Sequence, residues 1–301
     1  MIRGTKAGAA SLSVASNSVL IAIKIAAGAI TGSIAILTEA AHSSIDLVAS
    51  VIALVSVRKA DEPPDPEHPY GHEKVENLAA AIEGMLILVG AAIIVYEATH
   101  RLVVGASVER LGVGIAVIGL SAIANFGVSR FLYRRAREHG SAALEGDAAH
   151  LFTDALTSMG VLAGLLLVQV TGDAVFDPIA ALCVAAAIVF AGLRILSGSS
   201  RVLVDEAPPP EELDRIQSAI AAARPPEMVG YHKLRARLAG TRRYIDLHVQ
   251  FRDGTTLENA HSLAHRLRAA IESEIPGSEV LIHVEPEEAA ERGEEGPLRF
   301  G

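Results

Sequence analysis

The chain has 301 residues, half of them hydrophobic, and a mean hydropathy of +0.37, which excludes an ordinary soluble globular protein. Its formal net charge of −9 is concentrated near the C-terminus (Glu285, Glu287, Glu288, Glu291, Glu294, Glu295), which argues against nucleic-acid binding. The single cysteine, Cys183, sits in an apolar run and has no partner for an intrachain disulfide; it reads as a lipid- or core-facing filler.

Six apolar spans of roughly 20 residues follow one another, at about 9–30, 34–57, 77–99, 111–134, 143–170 and 175–197, each long enough to cross ~30 Å of hydrocarbon. No signal-peptide cleavage pattern follows Arg3 and Lys6, so the first run is expected to be retained. Lys and Arg alternate in density between the two sides. Arg3, Lys6, Arg58, Lys59, Lys74, Arg130, Arg134, Arg135, Arg137, Arg194 and Arg201 share one side; Arg101 and Arg110 occupy the other. The basic side is expected to be cytoplasmic, so both termini lie inside the cell. The expected organisation is a membrane domain over 1–205, a soluble domain over 206–290 and an acidic tail over 291–301.

The spans are not uniformly apolar. The second carries Glu39, His42, Ser43, Asp46 and Ser50; the third Glu76, Glu83 and Glu97; the fifth Asp147, His150, Asp154 and Ser158. Ionisable groups at membrane depth are costly, face the bundle interior and mark function. His42-x-x-x-Asp46 and His150-x-x-x-Asp154 each place an imidazole and a carboxylate one turn apart on a helix face. Two such helices side by side offer two nitrogens and two oxygens, a four-coordinate shell of the kind zinc favours. An intramembrane metalloenzyme would need an open coordination position and a general base, and this four-ligand set offers neither.

The proline-rich loop after the second span contains Asp65, His68 and His72, which reads either as a solvated turn or as a metal cluster. A protease motif is excluded, because His72-Glu73 would need a histidine at position 76 and Glu76 stands there. Beyond Pro208-Pro209-Pro210 the pattern predicts a helix over 211–223, strands over 231–238 and 244–251, a helix to about Glu274 with Thr255 and Glu258 as a capping box, and a strand over 278–285. This α-β-β-α-β order predicts a small α+β domain with a modest core, which dimerisation would support. His232, His248 and His283 fall on the strands, with His283 and Glu285 on one face, and His261 and His265 lie one turn apart on the helix; this density favours metal binding.

At this point the chain resembles the cation diffusion facilitator family of divalent-metal/proton antiporters, from about residue 10 to 287. Lys24, Gly28, Gly32-Ser33-Ile34-Ala35-Ile36-Leu37, Ala41-His42-Ser43 and Asp46 carry the resemblance. So do Tyr70-Gly71-His72-Glu73-Lys74-Val75-Glu76, Asp147-x-x-His150-x-x-x-Asp154 and Asp177-Pro178-Ile179-Ala180-Ala181. The resemblance implies a six-helix transmembrane domain with a cytoplasmic, metallochaperone-like α+β domain, acting as a homodimer in the plasma membrane and exchanging cytoplasmic metal for external protons. It implies a transport site at His42, Asp46, His150 and Asp154, similar to that of zinc-preferring members, with Cd²⁺, Fe²⁺ or Mn²⁺ as alternative substrates. It further implies a loop metal site at Asp65, His68 and His72, a regulatory zinc site at His232, His248, His261, His283 and Glu285, and a charge interlock of Lys74 with Asp205. The family pattern usually ends its regulatory site in aspartate, where this chain has the longer Glu285. A membrane metal sensor or scaffold that does not transport is the competing expectation; the paired His-Asp motifs argue against it.

Overall fold

The computed structural model describes residues 5–32, 34–104 and 112–287. Ser33, Arg3, Arg110 and the acidic tail from Glu288 onward lie outside the described residues. The chain divides into two compact units, Met1–Arg201 and Val202–Gly301.

Among the described residues the first unit has six long helices: α1 (Lys6–Thr31), α2 (Ile34–Ala60), α3 (Lys74–Val104), α4 (Gly112–His139), α5 (Ala142–Thr171) and α6 (Phe176–Leu203, its last two residues falling in the second unit). Even α1, with 26 residues, is about 39 Å long at 1.5 Å per residue, more than the ~30 Å of a bilayer core. Among the described residues α1, α3, α5 and α6 are apolar enough by composition alone to be recognised as spans. The exceptions are α2, with its buried Asp46, and α4, whose last turns carry Arg130, Arg134, Arg135 and Arg137. Their lengths, 27 and 28 residues, match the others.

Local chemistry sets several helix ends. Thr5 and Ser141 cap α1 and α5 by accepting from Gly8 N and Leu144 N. Gly32 and Gly172 end the same helices in the left-handed region, at φ 65° and 76°, where a Cβ would be strained. Small residues then set the helix spacing, as packing in lipid requires. Gly84 of α3 sits against Leu196 of α6, and Gly146 of α5 against Ala80 and Glu83 of α3. A layer of small and aliphatic residues, including Leu132, Leu144, Leu151 and Val57, fills the space between α1, α2, α4 and α5.

Buried polar groups are gathered between helices. Asn17 and Ser13 of α1 bond to Ser50 of α2, which donates to Asp147 of α5 at 2.9 Å. Lys24 of α1 donates to Ser43 of α2 at 2.7 Å. At one end of the bundle Lys6 pairs with Asp61 at 2.6 Å and Glu76 at 2.9 Å, and Ser141 also bonds to Glu76. Cys183 is exposed on α6 and faces outward.

The second unit contains α7 (Pro210–Ala222), β1 (Met228–Ala239), β2 (Arg242–Phe251), α8 (Leu257–Glu274) and β3 (Ser278–Pro286). Its sheet has the order β1-β2-β3; β1 and β2 pair antiparallel, and β3 pairs parallel to β2 after the α8 crossover. The alternation read in the sequence holds. Ile245, Leu247, Val249 and Phe251 point to one face, where Ile216 and Ile220 of α7 and Leu263, Leu267 and Ile271 of α8 cover them. One cap differs from expectation. Thr256, not Thr255, caps α8 by accepting from Asn259 N, because Asp253-Gly254 turns at φ 87° and Thr255 donates to Arg252 O instead.

Candidate metal centres

Three clusters of imidazole and carboxylate groups occur among the described residues: Asp46, His150 and Asp154; Asp65, His68 and His72; and His232, His248 and Glu285. In each, the candidate ligand atoms lie within 4.8 Å of one another. Four donors held about 2.0 Å from a zinc ion in tetrahedral array are about 3.3 Å apart, which is the spacing against which each cluster is measured.

The first cluster lies between α2 and α5. His150 Nε2 is 3.3 Å from Asp46 Oδ1 and 3.9 Å from Asp154 Oδ2. Asp46 and His150 are 6% and 7% exposed, so one imidazole and two carboxylates converge where water is scarce. Ser50 of α2 ties the two helices together nearby by donating to Asp147 of α5, three residues before His150. The side chain of His42 lies outside the described residues; its backbone is in α2, one turn before Asp46.

Sequence reasoning did not include Glu83 in this cluster. The side chain is fully buried on α3, and its Oε2 is 3.6 Å from His150 Nδ1, on the ring edge away from Asp46. The signal was present, since a glutamate in the middle of an apolar run needs a reason. Period alone could not tell which helix pair it would face.

The loop cluster is local. Asp65 accepts from the backbone N of His68 at 2.7 Å and of Glu67 at 2.9 Å, a turn that aims both histidines at one carboxylate. His68 Nδ1 and His72 Nε2 each stand 3.2 Å from it. The backbone hydrogen bond from His68 is the main cause that holds the Asp65 carboxyl below the usual carboxylate range, so it stays an anionic donor. His72 is buried while His68 is exposed.

The third cluster sits on the sheet face opposite the apolar core. Register places His232 directly across from His248, and His248 directly across from His283, one histidine per strand in a single row. Glu285, two residues beyond His283, receives His232 Nε2 at 2.7 Å and His248 Nδ1 at 2.6 Å. Burial raises the Glu285 carboxyl, but these two bonds outweigh it and leave it below its ordinary value. His283 is 64% exposed and 3.7 Å from Glu285. A β-bulge follows His232, with Lys233 at φ 50°, a strained value for a residue with a Cβ. No sequence pattern announced it.

His261 is placed apart from the strand histidines within this chain. It lies on α8 with its ring 4.4 Å from that of His265, and among the described residues it is not part of the His232–His248–Glu285 cluster. The crossover helix packs on the apolar face of the sheet, whereas the row of histidines occupies the other. Asp205 accepts from Arg237 Nη1 at 3.1 and 3.2 Å, and Lys74 opens α3 in the first unit.

Comparison with known proteins agrees with this chemistry. Residues 10–204 match the family model described as the cation efflux transmembrane domain, and residues 208–287 that of the cation efflux protein, cytoplasmic domain. The chain is 34% identical to an uncharacterized transporter, sll1263, of Synechocystis, over 88% of this chain and 85% of that protein. It is 32% identical to the cation-efflux pump FieF of Klebsiella pneumoniae, over 93% and 92%. It is 34% identical to metal tolerance protein C1 of Arabidopsis thaliana, over 86% of this chain and 58% of that one. A solved structure titled as that of a putative zinc transporter, CzrB, is 36% identical, covers 27% of this chain and 99% of its own, and gives a TM-score of 0.26. With both units matched in order, the chain belongs to the cation efflux, or cation diffusion facilitator, family of membrane transporters and is not an enzyme.

Proposed function

We propose that this multi-pass cation efflux protein exports Zn²⁺ from the cytoplasm in exchange for protons, as a homodimer in the plasma membrane with both termini cytoplasmic. The observation that supports this most strongly is the meeting of Asp46, His150 and Asp154 between two membrane helices, at spacings near those of a zinc shell. His42, one turn from Asp46, would complete four ligands. The imidazole content favours zinc over cations that prefer oxygen ligands alone, with Cd²⁺, Fe²⁺ and Mn²⁺ as competitors.

The proton coupling follows from the donor set. An imidazole must be neutral to ligate, so protons and metal compete for it. A free imidazole titrates near ~6.5, which brings that competition close to physiological pH. External protons displace the metal when the site faces outward, and the protonated site returns. Residues 1–205 would be the membrane domain, 206–290 the cytoplasmic domain and 291–301 its tail.

The other two clusters would bind metal as sensors. His68 and His72 already each stand 3.2 Å from the Asp65 carboxylate. His232, His248 and Glu285 are closed by hydrogen bonds of 2.6–2.7 Å, which an entering ion would open by roughly half an ångström while replacing the bonds it breaks. Two imidazoles and a carboxylate fit zinc, and a row of histidines across three strands gives little freedom for rearrangement. Metal that binds only one arrangement of the dimer stabilises that arrangement, which would link cytosolic zinc to transport. Lys74 and Asp205 would tie the two domains.

The test is uptake by inside-out proteoliposomes with an acidic lumen. Zn²⁺ should accumulate, competitors of the series should inhibit in proportion to their affinity, and a protonophore should stop accumulation. Zinc uptake unaffected by the pH gradient would contradict antiport, and no uptake of any of the four metals would favour the sensor reading.

A further inference from the structure

Glu83 is a fully buried glutamate whose two carboxylate oxygens have no hydrogen-bond partner among the described residues. His150 Nδ1 is likewise buried and without one. These orphaned groups face each other at 3.6 Å across the α3–α5 contact. At that separation no hydrogen bond is formed, yet the carboxylate and the ring nitrogen are complementary in charge and in donor–acceptor character. A buried carboxylate in a membrane helix is expensive, and an apolar side chain of the same size would remove the cost. The stem of Glu83 is also fixed, because Gly146 lets α5 lie directly on its Cβ and Cγ; a Cβ at residue 146 would come within 3.2 Å of both.

The geometry points to Glu83 as a positioning residue of the transport centre. The inference rests on His150 being a metal ligand. The ring presents Nε2 to Asp46 and Asp154 and Nδ1 to Glu83. A metal on Nε2 puts the ring proton on Nδ1, where it becomes a donor directed at Glu83 Oε2. That contact fixes the tautomer, holds the ring plane and raises the basicity of the ligating nitrogen. Glu83 thus acts through His150 without touching the ion, and it adds a third carboxylate to the electrostatics of the site.

The test uses the full chain in proteoliposomes, with zinc KM, maximal rate and thermal stability in detergent measured for Glu83→Met, Glu83→Gln and Asp154→Asn. Glu83→Met fills the same space without an acceptor. It should be at least as stable as the parent, with a zinc KM raised about 10- to 100-fold, the range for loss of such a partner. Glu83→Gln keeps an amide oxygen that accepts from Nδ1–H more weakly than a carboxylate does, so its KM should rise severalfold and less than that of the Met variant. An unchanged KM in the Met variant, or an equal loss of rate in both variants with KM untouched, overturns the role. Should the Met variant not fold, the Gln variant decides: a severalfold higher KM supports the role and an unchanged one overturns it. Asp154→Asn separates the two levels. If it too transports zinc with the parental KM, the transport-centre assignment fails; if it does not and the Glu83 variants are unaltered, only the positioning role fails.

Discussion

At the scale of single residues, the proposed chemistry depends on a few ionisable groups brought together from separate helices. Asp46 and Asp154 are separated by more than a hundred residues and meet at His150. On the proposed assignment, removing either carboxylate would take an anionic ligand from a buried site, so Asp46→Asn is expected to lower zinc transport by roughly 100-fold or more, at or beyond the top of the range for losing an outer partner. In the loop, His72→Ala should abolish one bound metal per chain while leaving transport measurable, because that cluster is local to the loop and turns on the Asp65 carboxylate; equilibrium dialysis with zinc checks the stoichiometry. Most of this was legible in the sequence. A spacing of four residues names the partners on one helix, and Pro-rich chain around Asp65 announces a turn. Glu83 was visible as an anomaly but not placeable, since a lone acid on a helix does not say which neighbour it will meet. The strain at Lys233 was not visible, because a β-bulge arises from strand pairing and has no local signature here.

At the scale of elements, helix spacing in the membrane is set by residues with little or no side chain. A Cβ at position 84 would lie 2.9 Å from the backbone N of Leu196, which cannot move aside as a flexible side chain can. Gly84→Ala is therefore expected to push α3 from α6 and to cost about 1–3 kcal/mol, read as a lower thermal midpoint in detergent. In the second unit Thr256→Ala should cost about 1 kcal/mol through loss of the α8 cap, whereas Thr255→Ala should cost less; thermal unfolding of the two full-length variants distinguishes them. The sequence placed the helices and strands well because their apolar periods are long and unbroken. It misplaced the α8 cap by one residue, since two adjacent threonines are equivalent until the Gly254 turn fixes the chain direction. Where His261 lies relative to the strand histidines was not legible, because helix and strand residues of a small domain cannot be assigned to faces without the sheet order. Here α8 covers the apolar face and the histidine row takes the other.

At the scale of the whole molecule, the described residues form a bundle of six helices in the first unit and a three-stranded, two-helix second unit, and they place one candidate cluster within membrane helices, one on a loop and one on a sheet. Of the three clusters among the described residues, the first is the one surrounded by helices of membrane-spanning length, which is why it is the one proposed to carry an ion across. Metal and protons are proposed to exchange at Asp46, His150 and Asp154. Simultaneous recording of zinc entry and lumenal alkalinisation in acid-loaded inside-out proteoliposomes tests it most directly, with the parent compared against Asp154→Asn. Zinc entry tied in a fixed ratio to proton exit, with both fluxes lost together in Asp154→Asn, is the predicted result. Zinc entry without proton exit in the parent, or parental zinc entry in Asp154→Asn, would contradict it.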